Sequence, residues 1–147
     1  MMLTIRKNLL LVICFLAMTL CACSGNTSST TLNLDNFHGK WVFINYWASW
    51  CESCKLEIPE LNAFSKKHSR NVVFFGVNYD GLKGHALKQA MMQAHITFTV
   101  LTTDPDESLK LGPINAVPTT FVFDPNGNLV DTLLGPQSQI ALEKIIK

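Results

Sequence analysis

The run Trp41–Trp47 is aromatic and β-branched, with Asn45 as its one strongly polar side chain, and such near-continuous apolarity predicts a central strand buried on both faces. The period then changes. Over residues 51–68, Cys54, Ile58 and Leu61 fall at helical spacing with Phe64 close by, which predicts a helix with one apolar face. Pro59 lies inside it and is expected to kink it, because proline removes a hydrogen bond and crowds the carbonyl of Lys55. Residues 72–77 form a second apolar, strand-like run. Strand, helix, strand in that order predicts a βαβ unit with parallel strands and a right-handed crossover. After a loop at Tyr79-Asp80-Gly81, residues 85–94 predict a helix carrying Leu87, Ala90, Met91 and Ala94 on one face. Residues 98–101 predict a short strand, and Asp104-Pro105-Asp106-Glu107 opens a helical turn ending at Gly112. Thr119–Phe123 and Leu129–Leu134, joined by Asp124-Pro125-Asn126-Gly127-Asn128, predict an antiparallel hairpin. Residues 138–147 close the chain as a helix with Ile140, Leu142, Ile145 and Ile146 as its apolar positions. The order is βαβ, an αβ insertion, then ββα: an α/β domain with a central mixed sheet flanked by helices.

The first 22 residues do not fit that domain. Arg6 and Lys7 precede an apolar run, residues 9–20, broken only by Thr19, which reads as an export signal. The run is short for a membrane span of roughly 20 residues. Leu20-Cys21-Ala22-Cys23 resembles the bacterial lipobox, which makes Cys23 the expected lipidated first residue of the mature chain. Ordinary cleavage to a soluble periplasmic protein and an uncleaved anchor are the alternatives. Residues 24–31, rich in Ser, Thr, Asn and Gly, predict a flexible tether. The expected organisation is therefore a signal at 1–22, a tether at 23–31 and one domain at 32–147, held on the periplasmic face of a bacterial membrane.

Charge changes the picture by exclusion. The 147 residues carry a net charge of +1, and without Arg6 and Lys7 ten basic side chains face eleven acidic ones. No basic stripe remains, which argues against nucleic acid as a partner. The four histidines, His38, His68, His85 and His95, show no ligand spacing, so a closed four-ligand zinc site is not expected. No metal or organic cofactor is called for.

The candidate chemistry lies in Trp50-Cys51-Glu52-Ser53-Cys54, where the first strand gives way to the helix. Unpaired N–H groups and the positive dipole end of a helix stabilise a thiolate, the nucleophile of disulfide exchange, and Cys51 gains most from that position. Of the five cysteines, Cys14 and Cys21 leave with the signal and Cys23 is capped by lipid, so Cys51 and Cys54 are the thiols left in an oxidising compartment. A structural disulfide or half a zinc site are the bland alternatives. A permanent Cys51–Cys54 bridge would close a very small loop and stabilise little.

Taken together, these residues carry a resemblance. The segments Gly39-Lys40 and Asn45-Tyr46-Trp47-Ala48-Ser49-Trp50-Cys51, Pro59 five residues after the second cysteine, the insertion between Val77 and Ile114, and Val117-Pro118-Thr119 resemble the TlpA/ResA group of exported, thioredoxin-like thiol–disulfide oxidoreductases. The resemblance covers residues 32–147. It implies a thioredoxin-like fold with the TlpA-type αβ insertion before a cis-proline loop at Pro118. It implies that Cys51 attacks and Cys54 resolves the mixed disulfide. Val117, Pro118 and Trp50 would form the docking surface, and Glu57, three residues after Cys54, would accept the Cys54 proton. The alternative for Glu57 is a solvated surface carboxylate. Trp41 and Trp47 are expected in the core. The group also implies reduction of disulfide-bearing exported partners, apocytochrome c among them, electrons from a membrane donor of the DsbD/CcdA kind, and a monomer. A disulfide oxidase or isomerase, or a copper chaperone on the same fold, are the rival functions; a peroxidase lacks a separate peroxidatic cysteine. Two departures stand out: Ser53 replaces the group's usual proline, and Asn45 stands where thioredoxin has a buried aspartate.

Overall fold

The computed structural model describes residues 32–147; the expected signal, Cys23 and tether lie outside the described residues. Five strands, β1 (Trp41–Trp47), β2 (Val72–Asn78), β3 (Thr99–Leu101), β4 (Thr119–Phe123) and β5 (Leu129–Leu134), form one sheet in the order β3-β2-β1-β4-β5. Its helices are α1 (Glu52–Lys67), α2 (Gly84–Gln93), α3 (Asp106–Leu109) and α4 (Gln139–Ile145). β1 runs parallel to β2 and antiparallel to β4, so the strand with the most continuous apolarity takes the centre of a mixed sheet. β2 continues in parallel to β3, and β4 turns back antiparallel into β5.

Alternation along β1 sends its side chains to two cores. On one face Phe43 packs with Leu61 and Phe64 of α1, Phe74, Phe98 and Leu142 of α4. On the other, Val42, Ile44 and Tyr46 meet Phe75, Val77, Phe121 and Phe123, with Leu34, Phe37, Leu109 and Ile114 partly covering them. Trp47 is fully buried, whereas Trp41 is only half-buried and packs at the margin. The predicted elements agree with these to within a few residues. α1 runs through Pro59 without interruption. α3 ends sooner than expected: Lys110, in the left-handed region at φ 54°, stops it before Gly112 is reached. α4 differs more. Its short contact with α1 buries Leu142 alone, and Ile140 stays 68% exposed. Polar bonds fix that contact, with Gln139 N–H donating to Glu60 and Lys67 and His68 both meeting Glu143.

β2 needs a glycine where it passes under the insertion. A Cβ on Gly76 would sit 2.9 Å from the Phe98 ring, 3.2 Å from Val100 and 3.3 Å from the Trp47 indole nitrogen. All three belong to packed residues, so none can withdraw freely. Gly76→Ala is expected to destabilise the fold by about 1–3 kcal/mol through overpacking, read as a lower urea midpoint at unchanged slope; a midpoint equal to the parent's would show that the insertion yields.

Candidate active site

The end of β1 delivers the chain into the reactive turn. Cys51 is the N-cap of α1: its sulfur accepts the Cys54 N–H at 3.1 Å, and its carbonyl accepts Lys55 N–H. Cys51 and Cys54 are joined as a disulfide with Cα atoms 5.3 Å apart. The two sulfurs are not equivalent. Cys51 keeps 5% of its surface and caps the positive end of a four-turn helix, while Cys54, one turn inward, has none. An incoming group therefore reaches Cys51 and not Cys54. Ser53 Oγ lies 3.4 Å from Cys51 Sγ, so the residue standing in for the group's proline places a hydroxyl beside the outer sulfur.

The second wall comes from the loop before β4. The Val117–Pro118 peptide is cis, and the Val117 carbonyl oxygen lies 3.6 Å from Cys51 Sγ. Thr119 Oγ1 donates to the Ala116 carbonyl at 2.8 Å and closes the loop on itself. Pro118 is buried and Val117 half-buried, so this loop lies against the outer sulfur with its backbone. Trp50 is on the open side, 61% exposed, its indole N–H donating to Asp80 at 2.9 Å. That bond ties the ring to the loop after β2.

Behind the disulfide, Glu57 is buried at 2% exposure, one turn along α1 from Cys54. The solvated alternative for it does not hold. Its carboxylate accepts Asn45 Nδ2–H at 2.8 Å and the Gln137 backbone N–H at 2.9 Å. Asn45 also donates to Thr120 Oγ1 at 3.0 Å. Burial pushes the Glu57 carboxyl up to about 7, and the two donated hydrogen bonds pull only part of the way back. A carboxyl so placed changes charge near neutral pH, one helical turn from Cys54.

Known proteins resemble this chain in sequence and fold. The profile of the AhpC/TSA family matches residues 16–132. The chain belongs to the AhpC/TSA family. Within it, the chain is 29% identical over 117 residues to the thiol-disulfide oxidoreductase ResA of Bacillus thuringiensis subsp. konkukian, covering 79% of this chain and 67% of that one. It is 30% identical over 115 residues to ResA of Bacillus subtilis, covering 78% and 64%. It thus spans about two thirds of the length of the curated relatives it matches. A thiol:disulfide interchange protein of the thioredoxin family from Chlorobium tepidum superposes with a TM-score of 0.66 at 27% identity, over 78% of this chain and 83% of that one. The chain is a thioredoxin-fold thiol–disulfide oxidoreductase that resembles the TlpA/ResA group.

This AhpC/TSA-family domain brings Cys51, Cys54 and the Val117–Pro118 loop together at one sulfur, with Glu57 one helical turn from Cys54; Trp50, next to Cys51 in the chain, stands exposed and bonded to Asp80. Four contributors were missed from the sequence, and three of them carry no local sign there. Thr120 meets Asn45 only because β4 lies against β1, and Gln137 meets Glu57 only because the β5–α4 link passes α1. Asp80 sits in what reads as an ordinary turn. Asp104 receives the Tyr46 phenol O–H at 2.5 Å and thereby ties the insertion to β1, and burial together with that carboxylate raises the phenol's pKa. The motif Tyr79-Asp80-Gly81 offered a signal for Asp80, since it directly follows a strand that is parallel to the one leading into the reactive turn; the other three had none.

Proposed function

We propose that this oxidoreductase works in the reducing direction on disulfide-bearing exported proteins, from a lipid anchor at Cys23 on the periplasmic face of a bacterial membrane. The observation that carries the chemistry is the inequality of the two sulfurs, Cys51 keeping a small exposed surface at a helix N-terminus against the Val117 carbonyl and Cys54 fully buried one turn inward. In the dithiol form the Cys51 thiolate attacks a substrate disulfide, forms a Cys51–substrate bond and expels one substrate thiolate, which takes up a proton. Cys54, having given up its proton, attacks Cys51 Sγ. The Cys51–Cys54 bond forms, the bond to substrate breaks, and the second substrate thiol leaves. Two electrons pass from protein to substrate, and a membrane thiol donor of the DsbD/CcdA kind restores the dithiol. The TlpA/ResA resemblance supports the reducing direction and apocytochrome c as one such substrate. The run at residues 9–20 and the lipobox-like Leu20-Cys21-Ala22-Cys23 support export and anchoring.

One experiment reads direction and anchor together. Protein is acid-quenched and alkylated in its host, recovered from membranes and weighed intact. The expected mass begins at Cys23, carries a lipid there, and bears alkyl groups on both Cys51 and Cys54. An unalkylated Cys51–Cys54 disulfide would assign the chain to the oxidising direction instead, and an unmodified Cys23 thiol would remove the anchor.

A further inference from the structure

A pocket of about 230 Å³ opens beside the cis-proline loop, on the sheet face opposite α1. Leu111, Ile114 and Ala116 of the incoming loop form one side, and Thr119, Phe121 and Leu134 of the β4–β5 hairpin form the other. Its place is tied to the reactive sulfur by covalent and hydrogen-bonded neighbours. Ala116 directly precedes Val117, whose carbonyl is 3.6 Å from Cys51 Sγ, and Thr119 directly follows Pro118. Leu134 pairs across the hairpin with Thr119, and Gly135 N–H donates to the Pro118 carbonyl at 2.9 Å. The pocket therefore begins one residue from the backbone that faces the disulfide.

Its walls are mainly apolar, with Asn115, Thr119 and Thr132 as the polar side chains among them. No charged side chain lines it. Leu134 remains 73% exposed at its rim, at the end of an edge strand whose outer side is unpaired among the described residues. A lone exposed leucine is ordinary on a protein surface. A leucine at the lip of an uncharged pocket, continuous with the surface a substrate must cross, is a place for an apolar side chain.

We propose that this pocket takes an apolar side chain of the disulfide-bearing substrate, close in sequence to the cysteine that Cys51 attacks. The inference rests on the oxidoreductase reading and deepens it by giving the substrate a preferred sequence around its disulfide. An extended segment advances about 3.3 Å per residue with side chains on alternate faces. With its cysteine at Cys51 and its backbone along Val117, such a segment brings a residue one or two places away over the opening between Ile114 and Leu134. The reaction itself is unchanged; only the on-enzyme position of the disulfide is favoured.

The test uses the full chain and mixed-disulfide peptides that differ only in carrying leucine or serine, placed in turn at one, two or three positions on either side of the cysteine. Each protein's peptide rates are divided by its own rate with oxidised glutathione, which is too small to span both the sulfur and the pocket. The parent is expected to favour leucine over serine at one of these positions by about tenfold, the discrimination that a small hydrophobic pocket supplies. Leu134→Asp is expected to erase that preference while keeping the parent's urea midpoint, because the side chain is mostly in water. Equal rates for both peptides in the parent, or a preference that survives Leu134→Asp, would overturn the proposal. So would a parent that runs as a dimer and a Leu134→Asp variant that runs as a monomer, since the pocket would then belong to a self-interface. Exchange with glutathione but no leucine preference sinks the pocket alone, whereas no exchange with any disulfide sinks the oxidoreductase reading and the pocket with it.

Discussion

Cys54→Ser is expected to stop turnover and to leave Cys51 covalently joined to its partners, while Cys51→Ser stops turnover and traps nothing. The asymmetry follows from access. Cys51 presents its sulfur at the N-cap of α1, receives the Cys54 N–H and faces the Val117 carbonyl, so it can begin exchange in a variant that retains it. Cys54 is sealed by the surrounding core of Trp47, Ala48, Leu87 and Ala90 and can act only on a sulfur already at Cys51. Removing Cys54 therefore removes the second attack and not the first. Non-reducing gels of alkylated extracts would show discrete, thiol-labile adducts with Cys54→Ser, and a background identical to the parent's with Cys51→Ser. The opposite pattern would reverse the roles. Adducts in neither variant, with Cys51 inert to thiol reagents, would return the copper-chaperone reading on the same fold.

What could be read from the sequence follows how local each feature is. The run Trp41–Trp47, the cysteine pair after it, and Val117-Pro118-Thr119 before the last hairpin each occupy a few consecutive residues, and together they place both walls of the site. The polar floor of the site is different. Glu57 gains its character from Asn45 and from the Gln137 backbone, 12 and 80 residues away, and neither partner is marked by spacing. Whether a glutamate three residues after Cys54 faces water or protein depends on where the β5–α4 link crosses, which is a tertiary fact. Ile140 makes the same point from the other side. Helical periodicity identified an apolar stripe on the last helix, but period alone does not say how much of a stripe finds a partner, and a seven-residue helix against α1 buries one leucine. Lys110 ended α3 early by taking the left-handed conformation that terminates a helix, a place more often held by glycine, so nothing in its residue type announced the stop.

Glu57→Gln is expected to slow release of the mixed disulfide about a hundredfold near neutral pH, the scale of a lost general base, and to flatten the stability of the oxidised protein between about pH 4.5 and 7. Stability comes first. Burial holds the folded carboxyl at about 7 against an ordinary 4.5, so between those values the folded state keeps a proton that the unfolded chain releases. Stability is then fully present below about 4.5 and declines as pH rises through about 7, by about 3 kcal/mol for a difference of that size. A glutamine has no such proton to lose. It also fits: Asn45 Oδ1 is buried without a hydrogen-bond partner among the described residues, so turning the Asn45 amide over lets it accept from the substituted amide's N–H while the carbonyl end of that amide still accepts from the Gln137 backbone. The rate effect follows from the same burial. An ordinary carboxylate lies about four pH units below a thiol of about 8.5 and is a poor acceptor for its proton, whereas one near 7 narrows the gap to about 1.5 while remaining half-charged at neutral pH. Single-turnover decay of a Cys51 mixed disulfide across about pH 5–9, a range that brackets the carboxyl and the thiol, beside urea melts at the same values, separates the possibilities. Loss of both the inflection near 7 and the stability slope assigns Glu57 the proton of Cys54. Loss of the slope with an unchanged rate profile would leave Glu57 as a buried polar anchor for the Gln137 backbone, and the proton of Cys54 would have to leave by way of solvent.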